Sequence, residues 1–294
     1  METTTAHQLC RFLHDASLMF LWGACAYLSL FVPRALADTI WRMAAKPFLL
    51  IVAIAVLTAL AALPVTTANI GNGWSDALNA DMMHDVVVET TVGIAWQAQV
   101  LAAIVMVCTL LLPQGLRRHG LALGAGLGLA SLSLTGHASM LEGWMQQAHR
   151  ANDILHVLAG GGWLGALVPL IPILKLLGRP ECRAEAQVAL RRFSNAGHVA
   201  VALVILSGIV NTLLILKRLP TDWSSPYQTL LAIKIALVAV MAMLAIINRY
   251  VFVPWIGRKP ARALLALRLG SIAEIGIGIV VIGLVAVFGM MEPV

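Results

Sequence analysis

Residues 155–174 read LHVLAGGGWLGALVPLIPIL, an apolar run of about 20 residues that contains no Asp, Glu, Lys or Arg. A helix of that length crosses a hydrocarbon core of roughly 30 Å. Because the core holds no water, each backbone amide and carbonyl must find its partner within its own segment. The run is therefore predicted to form a transmembrane helix.

Similar apolar runs recur along the whole chain, and Pro, Gly, Asn or charged residues separate them. We predict an all-α fold, a polytopic helical bundle in the membrane. About eight transmembrane helices are expected, at about 9–32, 46–66, 86–112, 119–139, 151–177, 194–217, 226–250 and 264–290.

The composition excludes a soluble globular protein. Of the 294 residues, 60% are hydrophobic and only 12% are charged, against about 25% charged in ordinary soluble domains. The net charge of +6 does not indicate a nucleic-acid partner, because the basic residues lie in loops between apolar runs, where they orient a membrane protein. The predicted environment is the lipid bilayer.

The distribution of basic residues predicts the orientation of the bundle. Fifteen of the 20 Lys and Arg residues follow the first, third, fifth and seventh spans, and such residues stay preferentially on the cytoplasmic side. Both termini are therefore expected in the periplasm of a bacterial inner membrane. The first run is expected to be a retained helix, because basic residues follow it, whereas they precede the apolar part of a signal peptide.

A short internal repeat predicts two halves. His14 precedes Trp22-Gly23 in the first span, and His156 precedes Trp163-Leu164-Gly165 in the fifth. The step from His to Gly is nine residues in both, about 13 Å along a helix. We predict two four-helix halves in parallel repeat, at residues 1–145 and 146–294.

Histidine and methionine concentrate near the predicted outer face. Imidazole and thioether ligands together select copper, above all Cu(I), although Cu(II) also binds imidazole. Methionines are commonly packing residues, whereas a histidine inside a span usually faces the bundle interior. The predicted metal ligands are His14 and His156, on corresponding helices at the mouth of a shared site, with the nearby candidates His84, His137, Met82, Met83 and Met140.

Two charged residues lie deep in the predicted spans, Lys234 in the seventh and Glu274 in the eighth. An unpaired charge is costly there, so a structural Lys234–Glu274 ion pair is expected. The functional alternative is a gate or a proton-coupling element on an ion path.

Two other functions are compatible with the histidines. Imidazoles on separate helices of a bundle can ligate b-type haem axially, which would make the chain a membrane redox protein. A sensor or assembly factor could also bind copper without moving it. No enzymatic activity is predicted.

Four elements of the second half, taken in order, resemble the copper resistance protein D (CopD) family. They are a His then Trp-x-Gly helix, an Arg-Phe-Ser entry to the next helix, a Ser-Gly-hydrophobic exit and a Leu-Leu-x-x-Lys helix, found here as residues 155–167, 191–194, 206–210 and 227–234. One position departs from the family pattern: Gln228 follows Tyr227 where the family often has Gly.

The resemblance implies an inner-membrane protein of copper homeostasis. Members of this family are thought to work with a small periplasmic copper carrier and to admit copper toward the cytoplasm. The expected function is therefore copper transport, with a periplasmic carrier protein as partner.

Overall fold

The computed structural model describes residues 1–135 and 143–293, and within these ranges the chain is helical and contains no strand. Each predicted span except the third overlaps one long helix. In chain order the helices are α1 (Thr3–Leu30), α2 (Arg34–Ile70), α3 (Ala80–Glu89), α4 (Thr91–Thr109), α5 (Gln114–Ser131), α6 (Gly143–Leu176), α7 (Arg183–Leu216), α8 (Pro226–Ile247) and α9 (Pro260–Phe288).

Six helices in the described part of the chain are long and apolar enough to cross a membrane, namely α2, α4, α6, α7, α9 and α8 with its extension to Trp255. The helical membrane bundle is therefore confirmed. Helix α1 falls outside this set although it has 28 residues. It lies at the centre of the bundle, in contact with α2, α5, α6 and α9. Because protein surrounds α1, it can carry buried polar residues that lipid would not tolerate.

The third predicted span differs from the structure. Its residues form two helices, because Thr90 adopts an extended conformation (φ −118°, ψ 153°). The Thr90 hydroxyl accepts a hydrogen bond from the Gly93 amide at 3.0 Å and so caps α4. Helix α3 is thus a separate short helix, at the end of the bundle where α1 begins. We call that end the N-terminal face and the other end the opposite face.

Helices α1 and α6 approach each other closely through glycines. A Cβ atom on Gly23 would lie 2.2 Å from the Gly161 carbonyl oxygen and 2.7 Å from the Gly165 Cα. Small residues permit this kind of contact between membrane helices. The neighbouring Trp22 donates its indole N–H to the Leu158 carbonyl at 2.8 Å, which fixes the two helices at this crossing.

The glycines in contact occupy corresponding positions of the sequence repeat. Gly23 follows His14 by nine residues, and Gly165 follows His156 by nine. A two-fold axis between α1 and α6 would bring such residues together. The division into halves at residues 1–145 and 146–294 stays a prediction, and this contact supports it.

Adding a single methyl group at Gly23, where α1 and α6 are in contact, should destabilise the protein. Gly23→Ala should lower the free energy of unfolding by about 1 to 3 kcal/mol or more, because overpacking against backbone atoms cannot be relieved by a rotamer change. Gly160→Ala is the matched control, since its Cβ would meet its nearest neighbour, Val204 Cγ2, only at 3.9 Å. The midpoint of unfolding in detergent measures both changes, and equal midpoints would contradict the crossing.

Candidate functional site

His14 is held in one orientation by a threonine on the next helix. The side chain is buried, and its Nδ1 lies 3.0 Å from the Thr58 hydroxyl. That hydroxyl has one hydrogen, which it donates to the Ile54 carbonyl at 2.7 Å. In that arrangement the Thr58 oxygen accepts from His14 Nδ1–H, and Nε2 carries the lone pair. Among the described residues, Nε2 has no hydrogen-bond partner.

His156 repeats this arrangement in the second half. Its Nδ1 lies 2.9 Å from the Ser207 hydroxyl on α7, and Ser207 donates to the Leu203 carbonyl. By the same argument Nδ1 is the donor, and Nε2 keeps its lone pair. Imidazoles that bind metals characteristically have their second nitrogen fixed in this way. Each half therefore presents one oriented imidazole nitrogen.

A cavity of about 230 Å³ lies beside His14 at the N-terminal face. His7, Cys10 and His14 line it from successive turns of α1, and Asp15 and Gln99 add oxygen atoms. We call this space the His14 cavity. In residues 1–135 and 143–293, no three His, Cys, Asp or Glu side chains lie close enough together to form a ready-made metal site.

Sequence reasoning missed the contributions of His7 and Cys10. The first predicted span begins at about residue 9, yet His7 already lies in the first turns of α1. The Cys10 thiol lies 3.5 Å from the Thr58 carbonyl oxygen, one turn from His14. His7, Cys10 and His14 are separated by three and then by four residues. This spacing places side chains on one face of a helix, so it could have shown that the three lie together.

The structure holds His14 and His156 against different helices. His14 lies against α2 and His156 against α7, the helix that follows its own in each case. His156 does not line the His14 cavity. The shared site at one mouth therefore stays a prediction.

The other predicted ligands do not join either histidine. Met82, Met83 and His84 lie on α3, where His84 is exposed and Met82 packs over Gly71. None of the three lines the His14 cavity. The remaining candidates, His137 and Met140, lie outside the described residues.

The expected Lys234–Glu274 ion pair is absent from the described part of the structure. Lys234 Nζ lies 5.9 Å from the centre of the Phe288 ring. Glu274 is buried and accepts a hydrogen bond from Asn248 Nδ2 at 2.8 Å. Asn248 follows Lys234 by 14 residues, about 21 Å along the helix. The two charges therefore lie at different depths, which accounts for the wrong expectation.

A polar network surrounds the His156 position. Asn152 Nδ2 donates to the Ser207 carbonyl at 2.9 Å and to Asn211 Oδ1 at 2.7 Å. Asn211 in turn donates to Asp153 Oδ1 at 3.1 Å. These bonds join α6 to α7, as interhelical hydrogen bonds commonly do in membranes. The His156 position thus has polar neighbours within an apolar bundle.

The comparisons with known proteins follow the two halves of the chain. Residues 1–147 match the family described as "Copper resistance protein D-like, N-terminal domain". Residues 187–288 match the family described as "Copper resistance protein D". No solved structure matches the chain significantly.

Three curated relatives are similar over most of the chain. "Inner membrane protein YebZ" of Escherichia coli is 32% identical, over 96% of this chain and 97% of its own length. "Copper resistance protein D" of Pseudomonas syringae pv. tomato is 36% identical over 75% of this chain and 74% of its own. "Copper transport protein CutJ" of Bacillus subtilis is 29% identical over 79% of this chain and 43% of its own.

Removing the Asn211 amide, at the centre of the hydrogen bonds between α6 and α7, should destabilise the protein. Asn211→Leu should lower the free energy of unfolding by about 1 to 3 kcal/mol, because Asn152 and Asp153 both lose a partner. Thr212→Val is the control at the adjacent position, where the hydroxyl donates to the Gly208 carbonyl within α7. Unfolding midpoints in detergent compare the two, and a smaller loss for Asn211→Leu than for Thr212→Val would contradict the network.

Proposed function

The chain belongs to the copper resistance protein D family, and from this membership we propose that it binds copper on the periplasmic side of the inner membrane and passes it toward the cytoplasm. The observation that carries the proposal is the His14 imidazole. Its Nε2 lone pair is buried, fixed in direction and free of a partner among the described residues. His14 also lines a cavity that offers a thiol and a second imidazole.

The chemistry of this cavity suits copper. Imidazole binds both oxidation states, and a thiol favours Cu(I). His14 Nε2 is the fixed ligand, and Cys10 and His7, one turn and two turns nearer the N-terminal face, are the donors that copper meets first. His156 provides the corresponding nitrogen of the second half. Weak, successive ligation of this kind permits release as well as capture.

In this proposal, copper is delivered first to the predicted ligands at the surface of the N-terminal face. Met82, Met83 and His84 lie on α3 at the N-terminal face, and His137 and Met140 are further candidates near the predicted outer end of the fourth span. A periplasmic copper carrier would deliver its ion to these soft side chains. The proposed orientation places this face and both termini in the periplasm, because most basic residues lie at the other end.

The arrangement of the imidazoles does not support the haem alternative. Axial ligation by two histidines needs both Nε2 atoms to face one haem plane, whereas His14 and His156 contact different helices. An absorption spectrum of the purified protein tests this directly, since a strong Soret band would favour haem. We propose a transporter rather than an enzyme.

The central experiment is titration of the purified protein with Cu(I) against a competing chelator under anaerobic conditions. His14→Ala should weaken the tightest site at least about tenfold, because it removes the fixed ligand. His119→Ala is the control, since His119 is exposed at the start of α5 and its Nδ1 lies 2.9 Å from the Gly115 carbonyl. Unchanged stoichiometry and affinity in His14→Ala would remove this residue from the site.

A second pair of variants tests the hydroxyl that orients His14. Thr58→Val removes the acceptor of Nδ1–H and should weaken copper binding by about 10- to 100-fold, the range typical of residues that orient a metal ligand. Thr58→Ser keeps the hydroxyl and should bind within about threefold of the original protein. Equal affinities for the two variants would show that the hydroxyl has no such role.

Transport is separated from binding by reconstitution. Proteoliposomes should accumulate copper when the protein is present and lose this uptake with His14→Ala, because the ion can no longer be captured at the mouth. Copper binding without uptake would identify a sensor or assembly factor and refute transport.

A further inference from the structure

A second cavity, of about 300 Å³, lies among α6, α7, α8 and α9 in the half of the bundle near the opposite face. Most of its lining is apolar, including Leu167, Leu170, Val201, Ile205, Ala242 and Ile246. We call it the α7–α8 cleft. Its volume is within the range of sites for small molecules, which are also mostly apolar with a few polar groups.

The α7–α8 cleft opens sideways, toward the position of the lipid. Helix α7 packs against α6 and helix α8 against α9, but α7 and α8 make little contact with each other. Ile205 on α7 and Ile246 on α8 line the cleft and are 43% and 56% exposed. A ligand would therefore enter from the bilayer and not from water.

Polar contacts close the cleft at the opposite face. A π-helical segment, Asn248–Phe252, follows α8. Within it, Tyr250 lies with its hydroxyl 3.2 Å from His198 Nε2 on α7, and Arg249 donates to Ser194 and Asn195. Because His198 Nδ1 lies 2.7 Å from the Ser194 carbonyl and must donate to it, Nε2 accepts from Tyr250. These contacts join α7 to the segment after α8 at this end, whereas α7 and α8 make little contact along the sideways mouth.

One polar group that lines the cleft is only partly paired by its protein neighbours. Glu274 lines the cleft and is only 2% exposed. Its carboxylate interacts with the Trp163 indole and its Oε1 accepts from Asn248, but its Oε2 has no partner within hydrogen-bond distance among residues 1–135 and 143–293. Buried polar atoms almost always have a hydrogen-bond partner, and leaving one without costs stability. This oxygen, on a side chain that lines an apolar cavity, points to a ligand with a matching polar group.

We propose that the α7–α8 cleft binds a membrane-soluble quinone or quinol, with its ring at Glu274 and its apolar tail leaving between α7 and α8. A quinol hydroxyl can donate to the free Oε2, and a quinone carbonyl can accept from the protonated carboxyl group. A phospholipid acyl chain would leave Oε2 unpaired. A bare metal ion would find mainly apolar walls and, in the described residues, no cluster of ligands.

The test uses the full-length protein in nanodiscs of synthetic, quinone-free phosphatidylethanolamine and phosphatidylglycerol, titrated with decylubiquinone. Quinones quench tryptophan fluorescence on contact, and Trp163 lines the cleft. The original protein should show saturable quenching, and Trp163→Phe should lose most of it. This pair of proteins places the bound ring next to Trp163.

A matched pair of glycine substitutions tests the location. Both Gly197 and Gly276 have open space where a Cβ would be, but Gly197 lines the cleft and Gly276 is exposed on α9. Gly197→Phe should fill the cleft and weaken quinone binding at least tenfold, whereas Gly276→Phe should leave it unchanged. Copper affinity should be the same in both, so this test is independent of the copper proposal.

Glu274 supplies a second measurement that does not depend on how well Gly197→Phe folds. Glu274→Gln keeps a donor and an acceptor and should bind within about threefold of the original protein. Glu274→Leu keeps the volume without the polar group and should bind about tenfold more weakly. Equal binding by these two variants would overturn the proposed contact.

Two further outcomes would overturn the proposal as a whole. Quenching that rises without saturation, or equally in both glycine variants, would show that the quinone only dissolves in the bilayer. A phospholipid that co-purifies with the original protein, is lost in Gly197→Phe and is not displaced by quinone would identify a lipid as the occupant instead.

Discussion

The contact between α1 and α6 determines where every other functional group lies. Gly23 and Gly165 allow the two backbones to touch, and both helices begin at the N-terminal face. His14 and His156 each precede these glycines by nine residues, so both imidazoles lie about 13 Å from the crossing on the same side. A wider crossing would separate α1 from the second half and open the centre of the bundle to lipid.

Within that frame, hydroxyl groups determine how the imidazoles can act. A neutral histidine exposes one donor and one acceptor nitrogen, and a hydroxyl that already donates to its own helix can only accept. Thr58 and Ser207 therefore select the same tautomer in the two halves. His14 Nε2 is buried without a hydrogen-bond partner among the described residues, which lowers stability. It is the atom that would bind copper in the proposed site.

The sequence predicted the spans and the family because both depend on local patterns of residues. Length and apolarity identify a transmembrane helix, and the order of four motifs identified the resemblance that the comparisons confirm.

The direction in which a side chain points around its helix does not follow from such local patterns. Depth alone made Lys234 and Glu274 look like partners, whereas Glu274 contacts Asn248 at the far end of α8. The break at Thr90 was readable as a capping signal, but the apolar residues on both sides of it hid the boundary. The α7–α8 cleft could not be predicted at all, because it exists only where two helices remain apart.

Trp163 belongs to an apolar cluster that lies between the polar network around His156 and the α7–α8 cleft. Trp163 lies seven residues after His156 on α6, and it is buried with Val204 and Leu167 in one apolar cluster. This cluster separates the polar network around His156 from the α7–α8 cleft. An ion moving inward needs a continuous series of ligands or water, and the cluster offers neither. The apolar cluster therefore closes this route in the structure, and on the proposed function an ion could pass only if α7 moved relative to α6. The hydrogen bond of Asn152 to the Ser207 carbonyl and the bond of His156 to the Ser207 hydroxyl both resist that movement. On the proposed function, copper bound to His156 Nε2 would change the charge beside these bonds and would so link ligand binding to helix movement at Ser207.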